Sequence, residues 1–135
     1  MSSSVDYQPL ALSVLNAKGW DNKMRALVLA SKQLPILDAD RRTSENLVKG
    51  CDSEVWLDRD DSTPTLKFVA YSPSKVIRGV LAVILEQAHA VSTDSLKTFD
   101  FDDFSERIAL SRFLSQSRGN GLRQVVSRIQ KLATT

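Results

Sequence analysis

Leu66-Lys67-Phe68-Val69-Ala70-Tyr71-Ser72-Pro73-Ser74-Lys75-Val76-Ile77-Arg78-Gly79-Val80-Leu81-Ala82-Val83-Ile84-Leu85 changes rhythm halfway along. Leu66, Phe68 and Ala70 stand two apart, the period of a strand with one face turned inward. Ser72-Pro73 then reads as a cap followed by proline at the first helical position. Beyond it Val76, Ile77, Val80, Leu81, Val83, Ile84 and Leu85 are apolar on most faces of a helix, which predicts a central helix covered on several sides. A strand running straight into a buried helix implies an α+β chain whose sheet and helices share one core.

Outward from this stretch the same two rhythms continue. Leu47 and Lys49, then Val55, Leu57 and Arg59, keep the spacing of two in segments rich in Val, Trp, Phe and Thr, and Asp60-Asp61-Ser62-Thr63-Pro64 splits them. Together they predict a small antiparallel sheet of two or three strands. Upstream, one helix begins near Pro9 and ends by Gly19. A second starts at Asp21, which can cap it, carries Met24, Leu27, Val28 and Ser31 at helical spacing, and stops at Leu34-Pro35. Pro35 to Glu45 reads as a charged connector, and residues 1–8 as a loose arm. Downstream, Ser92 to Asp103 reads as a polar, acidic connector anchored by Leu96, Phe99, Phe101 and Phe104. A shorter helix is expected through Ile108, Leu110 and Leu114, and a final amphipathic one through Leu122, Val125, Val126, Ile129 and Leu132.

Length and composition bound the rest. The 135 residues suit one domain, 1–135. The formal charge is only +2, with basic and acidic residues interleaved, so nucleic acid is not indicated. Val80 to Leu85, the longest apolar run, is far short of the roughly 20 residues a membrane span needs, and a soluble protein is expected. Met1-Ser2-Ser3-Ser4 lacks the features of a secretory signal and a single cysteine builds no disulfide framework, which points to the reducing cytoplasm.

That cysteine, Cys51, falls between the first two strand segments in Lys49-Gly50-Cys51-Asp52-Ser53-Glu54-Val55-Trp56. Alone, it has no sister thiol for a disulfide or a cysteine metal site, so any chemistry it performs is thiolate nucleophilicity or sulfur carrying. The competing reading is a small buried hydrophobe. His89, the one histidine, permits a Cys51–His89 pair, but its place near the end of the central helix is explained by a dipole partner or a satisfied surface residue. Nothing is spaced to organise a metal site around it. Asp100, Asp102 and Asp103, interleaved with phenylalanines, read as a solvated loop rather than as general acids and bases. Gly119-Asn120-Gly121 lacks the strand before it and the Lys-Ser or Lys-Thr after it that a phosphate loop requires, and reads as a flexible lead-in to the last helix. Arg118, just before it, presents a forked cation where an anion or a partner carboxylate can dock.

Leu34-Pro35, Gly50-Cys51-x-Ser53-x-Val55-Trp56, Arg78-Gly79 within an apolar helix, and Leu110-x-x-x-Leu114-x-x-Ser117-Arg118-x-x-Gly121-Leu122 occur in an order and spacing that resemble the SufE/CsdE family of sulfur acceptor proteins. The resemblance runs from about Trp20 to Leu122. It implies an α/β two-layer fold similar to that of iron–sulfur scaffold proteins, with Cys51 at a loop tip receiving sulfane sulfur as a persulfide. It also implies a cysteine desulfurase of the SufS/CsdA kind as partner and a downstream iron–sulfur scaffold or other sulfur acceptor. The chain then needs no cofactor of its own, since the pyridoxal phosphate belongs to the desulfurase. Arg118 matches an arginine associated with the active surface; Lys49 supports the thiolate by its charge, while Asp52 opposes it. Ala70-Tyr71-Ser72-Pro73 departs from the family, which often carries acidic residues there in a Gly-Asp-Ser-Asp-like approach to the central helix. The alternatives on the residues alone are a stand-alone Cys51/His89 hydrolase or transferase, and a binding module with an inert cysteine.

Overall fold

The computed structural model describes residues 7–48, 54–110 and 116–134, the first five of the last stretch through their backbone alone. Cys51, Lys49 and Asp52 therefore lie outside the described residues, as do Met1 to Asp6 of the expected arm. Among the described residues, six α-helices and a two-stranded antiparallel sheet follow one another as α1 (Pro9–Asn16), α2 (Trp20–Ala30), β1 (Trp56–Arg59), β2 (Phe68–Tyr71), α3 (Lys75–Ala90), α4 (Thr93–Leu96), α5 (Phe101–Arg107) and α6 (Gln116–Ala133). This is the expected α+β class.

Helix α3 is the centre of the core. Ten of its residues are buried, Val83, Ile84 and Leu85 completely, and it packs against α1, α2 and β2. Its start lies two residues beyond the expected place. Ser74, not Ser72, is the cap, its Oγ accepting from the Ile77 N–H at 3.3 Å, while the buried Ser72 Oγ accepts from the Ser74 N–H at 3.4 Å. Gly79 is what lets α2 come close: a Cβ there would stand 2.1 Å from the Leu27 carbonyl oxygen, so no other residue fits without prising the helices apart. Glu86 holds α1 in place. Its carboxylate accepts from the Leu10 N–H at 3.0 and 3.2 Å and from the Ala11 N–H at 3.4 Å, filling donors that the helix start leaves open.

Several expected boundaries move for identifiable reasons. Gly19, at φ +83°, precedes α2 and puts Asp21 inside its first turn, where a carboxylate favours the dipole but does not cap. Tyr7 is no loose residue, for its ring lies 6.2 Å from Phe104 against the core. The stretch from Ser92 to Asp103 contains helical turns, because its polar residues are caps: Ser92 Oγ accepts from the Ser95 N–H at 3.1 Å, and Asp100 Oδ1 from the Asp103 N–H at 2.9 Å. Asp103 then pairs with Arg107 at 2.6 Å, and Asp102 with Arg123 at 3.7 Å. Helix α5 stops before the expected span, with Ala109 at φ +62° turning the chain between the buried Ile108 and Leu110; Leu114 lies outside the described residues.

Among the described residues the sheet has two strands, the lower of the expected two or three. Trp56 pairs with Tyr71, Leu57 with Ala70, Asp58 with Val69 and Arg59 with Phe68, which turns Leu57, Phe68 and Ala70 into the core. In the described part of the expected first strand, Leu47 forms an antiparallel bridge to Trp56, and Ile36 adds a parallel bridge to Ala70 at the other edge. The turn after β1 is closed by Asp60, which accepts from the Ser62 N–H at 3.0 Å and the Ser62 hydroxyl at 2.6 Å; the hydroxyl holds its carboxyl below the usual carboxylate range. Among the described residues no helix is long and apolar enough to cross a membrane.

Candidate functional site

Residues 49–54, with Cys51 among them, connect two backbone stretches that are bonded to each other. The Val48 N–H donates to the Val55 carbonyl at 2.8 Å, and the Leu57 N–H to the Asn46 carbonyl at 2.9 Å. Val48, Val55 and Leu57 are buried, so this hairpin base is fastened from below by apolar packing. Three further side chains fasten it from the sides. Asn46 Nδ2 donates to the Arg41 carbonyl at 2.8 Å, and Arg41 in turn pairs with Asp58 at 2.6 Å and donates to the Arg59 carbonyl at 3.0 Å. Arg128 of α6 spans the base, donating from Nε to the Leu57 carbonyl at 3.1 Å and from Nη2 to the Glu45 carbonyl at 3.0 Å. A guanidinium suits this task because its donors are coplanar and always charged. Beside the base runs a groove of about 430 Å³ lined by Leu47, Val48, Ser127, Arg128 and Lys131 among others.

Helix α6 begins at Gln116, so Arg118 lies in its first turn rather than ahead of it, and Gly119-Asn120-Gly121 is helical rather than a lead-in. The apolar stripe of the same helix, with Val125 and Ile129 buried, outweighs the roughly 1 kcal/mol that each glycine costs a helix. The Arg118 side chain falls outside the described residues.

His89 is not a cationic partner of the α3 dipole. Its Nε2 accepts a hydrogen bond from the Phe68 N–H at 3.0 Å, and its ring lies parallel to the Phe68 ring at 6.0 Å. Burial, with the Lys67 charge adding to it and Asp60 opposing, lowers its pKa to about 4. The imidazole is thus neutral, and the lone pair a general base would need is engaged by the sheet backbone, which weighs against the Cys51/His89 hydrolase. No group of three or more His, Cys, Asp or Glu side chains arranged for a metal ion occurs among the described residues.

On the sheet, Tyr71 carries two arginines. The Arg42 guanidinium lies over its ring at 3.6 Å from the centroid and that of Arg78 at 5.4 Å, while the Trp56 ring stands 6.4 Å away. Arg128, Arg42 and the Tyr71 stack were not singled out as site residues by the sequence. Arg42 sits in an aperiodic connector, and Arg128 differs in no local way from the other polar residues of an amphipathic helix.

An α+β domain whose described residues fasten the two ends of a cysteine-bearing connection is the class that this fold and sequence define. The family model described as "SufE: Fe-S metabolism associated domain" matches residues 9–133. The chain is 33% identical over 118 residues to an uncharacterized SufE-like protein of Rhizobium etli, covering 84% of this chain and 80% of that protein. To an uncharacterized SufE-like protein of Rhizobium meliloti it is 34% identical over 118 residues, 84% of each chain. To one of Haemophilus influenzae it is 27% identical over 117 residues, covering 86% and 93%. The chain belongs to the SufE family and so to the proteins of iron–sulfur metabolism.

Proposed function

We propose that this protein is a sulfur acceptor for a pyridoxal-phosphate-dependent cysteine desulfurase and carries sulfane sulfur as a Cys51 persulfide to an iron–sulfur scaffold or another acceptor in the cytoplasm. The observation that carries the reading is membership of the SufE family over residues 9–133 in a chain with one cysteine, on a connection whose two ends are bonded to each other. The Cys51 thiolate attacks the outer sulfur of the desulfurase persulfide. A new sulfur–sulfur bond forms at Cys51, the donor's bond breaks, and the desulfurase cysteine leaves as a thiolate, with no net oxidation.

An ordinary thiol, with pKa about 8.5, is only about 3% thiolate at pH 7. Lys49 and Arg118 raise that fraction by their positive potential and Asp52 and Glu54 lower it, so activation is completed when the partner docks. The test is intact-mass measurement after incubation with a desulfurase and free cysteine. The wild-type chain is expected to gain one or more sulfur atoms and Cys51→Ser none. No gain on the wild type, or an equal gain on the variant, refutes the assignment and favours a binding module.

A further inference from the structure

We infer that the Arg42–Tyr71–Arg78 cluster is the surface on which an acidic segment of the desulfurase docks; this rests on the sulfur-acceptor reading and gives its partner a chemistry. Both guanidinium groups are already fixed. Arg42 Nε donates to the Leu37 carbonyl at 3.0 Å, and Arg78 Nη1 to the Ser72 carbonyl at 2.7 Å and the Pro73 carbonyl at 3.2 Å. Each therefore spends an edge on backbone and a face on the Tyr71 ring. Neither hydrogen-bonds nor ion-pairs with a carboxylate among the described residues, whereas Arg41, Arg107 and Arg123 each do. A guanidinium has five donors, so most of those on Arg42 and Arg78 have no acceptor among the described residues.

Two cations gathered on one ring repel each other, and among the described residues the ring's negative face and the backbone carbonyls offset that repulsion. A carboxylate-bearing segment removes the remainder, and it finds donors whose rotamers are already set, so little side-chain entropy is lost on binding. The cluster is also continuous with the sulfur-carrying end of the sheet. Tyr71 is the register partner of Trp56, and Trp56 bridges Leu47 at the base of the Cys51 connection. A partner seated on Arg42 and Arg78 thus stands on the strand pair that leads to the thiol. Neutral aromatic or apolar partners leave the two charges uncompensated, which is why an acidic segment fits best.

The experiment compares the full-length chain, an Arg42→Glu/Arg78→Glu variant, and a Lys18→Glu/Lys97→Glu variant with the same change in net charge. Each is titrated against a purified cysteine desulfurase at low and high salt, with binding, desulfurase turnover and sulfur on Cys51 read in parallel and thermal melts confirming the fold. The arginine variant is expected to need at least ten times more protein for half-maximal turnover and to lose most of the salt dependence, with the lysine variant close to wild type. Should the arginine variant melt, Arg42→Gln and Arg78→Gln made singly are expected to give a several-fold loss each. A wild type that loads sulfur at the same half-saturation as the arginine variant overturns the docking surface and leaves the sulfur-acceptor reading standing. Equal losses in the lysine variant also overturn it, since net charge alone then steers the encounter. A wild type that neither binds nor loads removes both.

Discussion

Acid should destabilise this protein well before its carboxylates titrate, through His89. In the folded chain the imidazole is neutral with a pKa of about 4, because burial opposes the charge and the Phe68 N–H points at Nε2; protonating that nitrogen would set donor against donor. In the unfolded chain the same ring titrates near 6.5. Between these values the unfolded state binds more protons than the folded one, so stability falls as pH falls through this window and is fully present above it. Integrating from pH 7.5 to pH 5.5, and allowing for solvent screening of a ring that is only partly buried, gives a loss of at most about 1 kcal/mol, equivalent to no more than roughly 4 °C in melting temperature for a domain of this size. Because the chain has one histidine, no other side chain titrates ordinarily in that interval.

The perturbation is His89→Gln, whose amide oxygen accepts from the same N–H but takes up no proton. Thermal or urea melts at half-unit pH steps should slope downward for the wild type and run nearly flat for the variant between pH 7.5 and 5.5, and proton NMR of the histidine should place its midpoint well below 6. Sulfur loading of Cys51 at neutral pH should change little in the variant, since persulfide exchange requires a thiolate and no obligate general base. Equal slopes in the two proteins would refute the argument, as would a midpoint near 6.5.

Gly79→Ala places a Cβ 2.1 Å from the Leu27 carbonyl oxygen, and the rigid backbone cannot yield; a loss of about 3 kcal/mol or more is expected in denaturant melts, and a near-neutral result would show that α2 and α3 separate readily. Arg128→Ala removes the hydrogen bonds joining α6 to the hairpin base, for about 1–3 kcal/mol, with amide exchange accelerated around Asn46 and Leu57 and Cys51 loading slowed; unchanged exchange there would mean the base holds without the clamp. Arg118→Ala should weaken desulfurase stimulation while moving the melt by a few degrees at most, so that unchanged stimulation returns Arg118 to an ordinary surface role and a collapsed melt makes it structural.

What could be read in the chain is what local chemistry dictates. The buried helix from Lys75 to Ala90 was legible because its apolar residues fall on most faces of a helix, and β1 and β2 because their alternation survives in the register Leu57 to Ala70. The family was legible because its motifs are local in sequence. The acidic stretch was legible as structural, though not as helix caps, since a cap and a loop aspartate look alike until the next turn is in place. Boundaries slipped wherever a neighbour from elsewhere decided them: the glycines near Arg118 stay helical because α6 is held by the packing of Val125 and Ile129.

Only the tertiary structure decided how the polar groups are partnered. Arg128 meets Leu57 and Glu45 across more than seventy residues, Arg42 and Arg78 converge on Tyr71 from a connector and a helix, and His89 meets the backbone of Phe68. Periodicity records which side of an element avoids water, a property each residue carries by itself. The partner of a guanidinium or an imidazole depends on which surfaces the core brings together, and the same side chain in solvent would titrate and bind in its ordinary way.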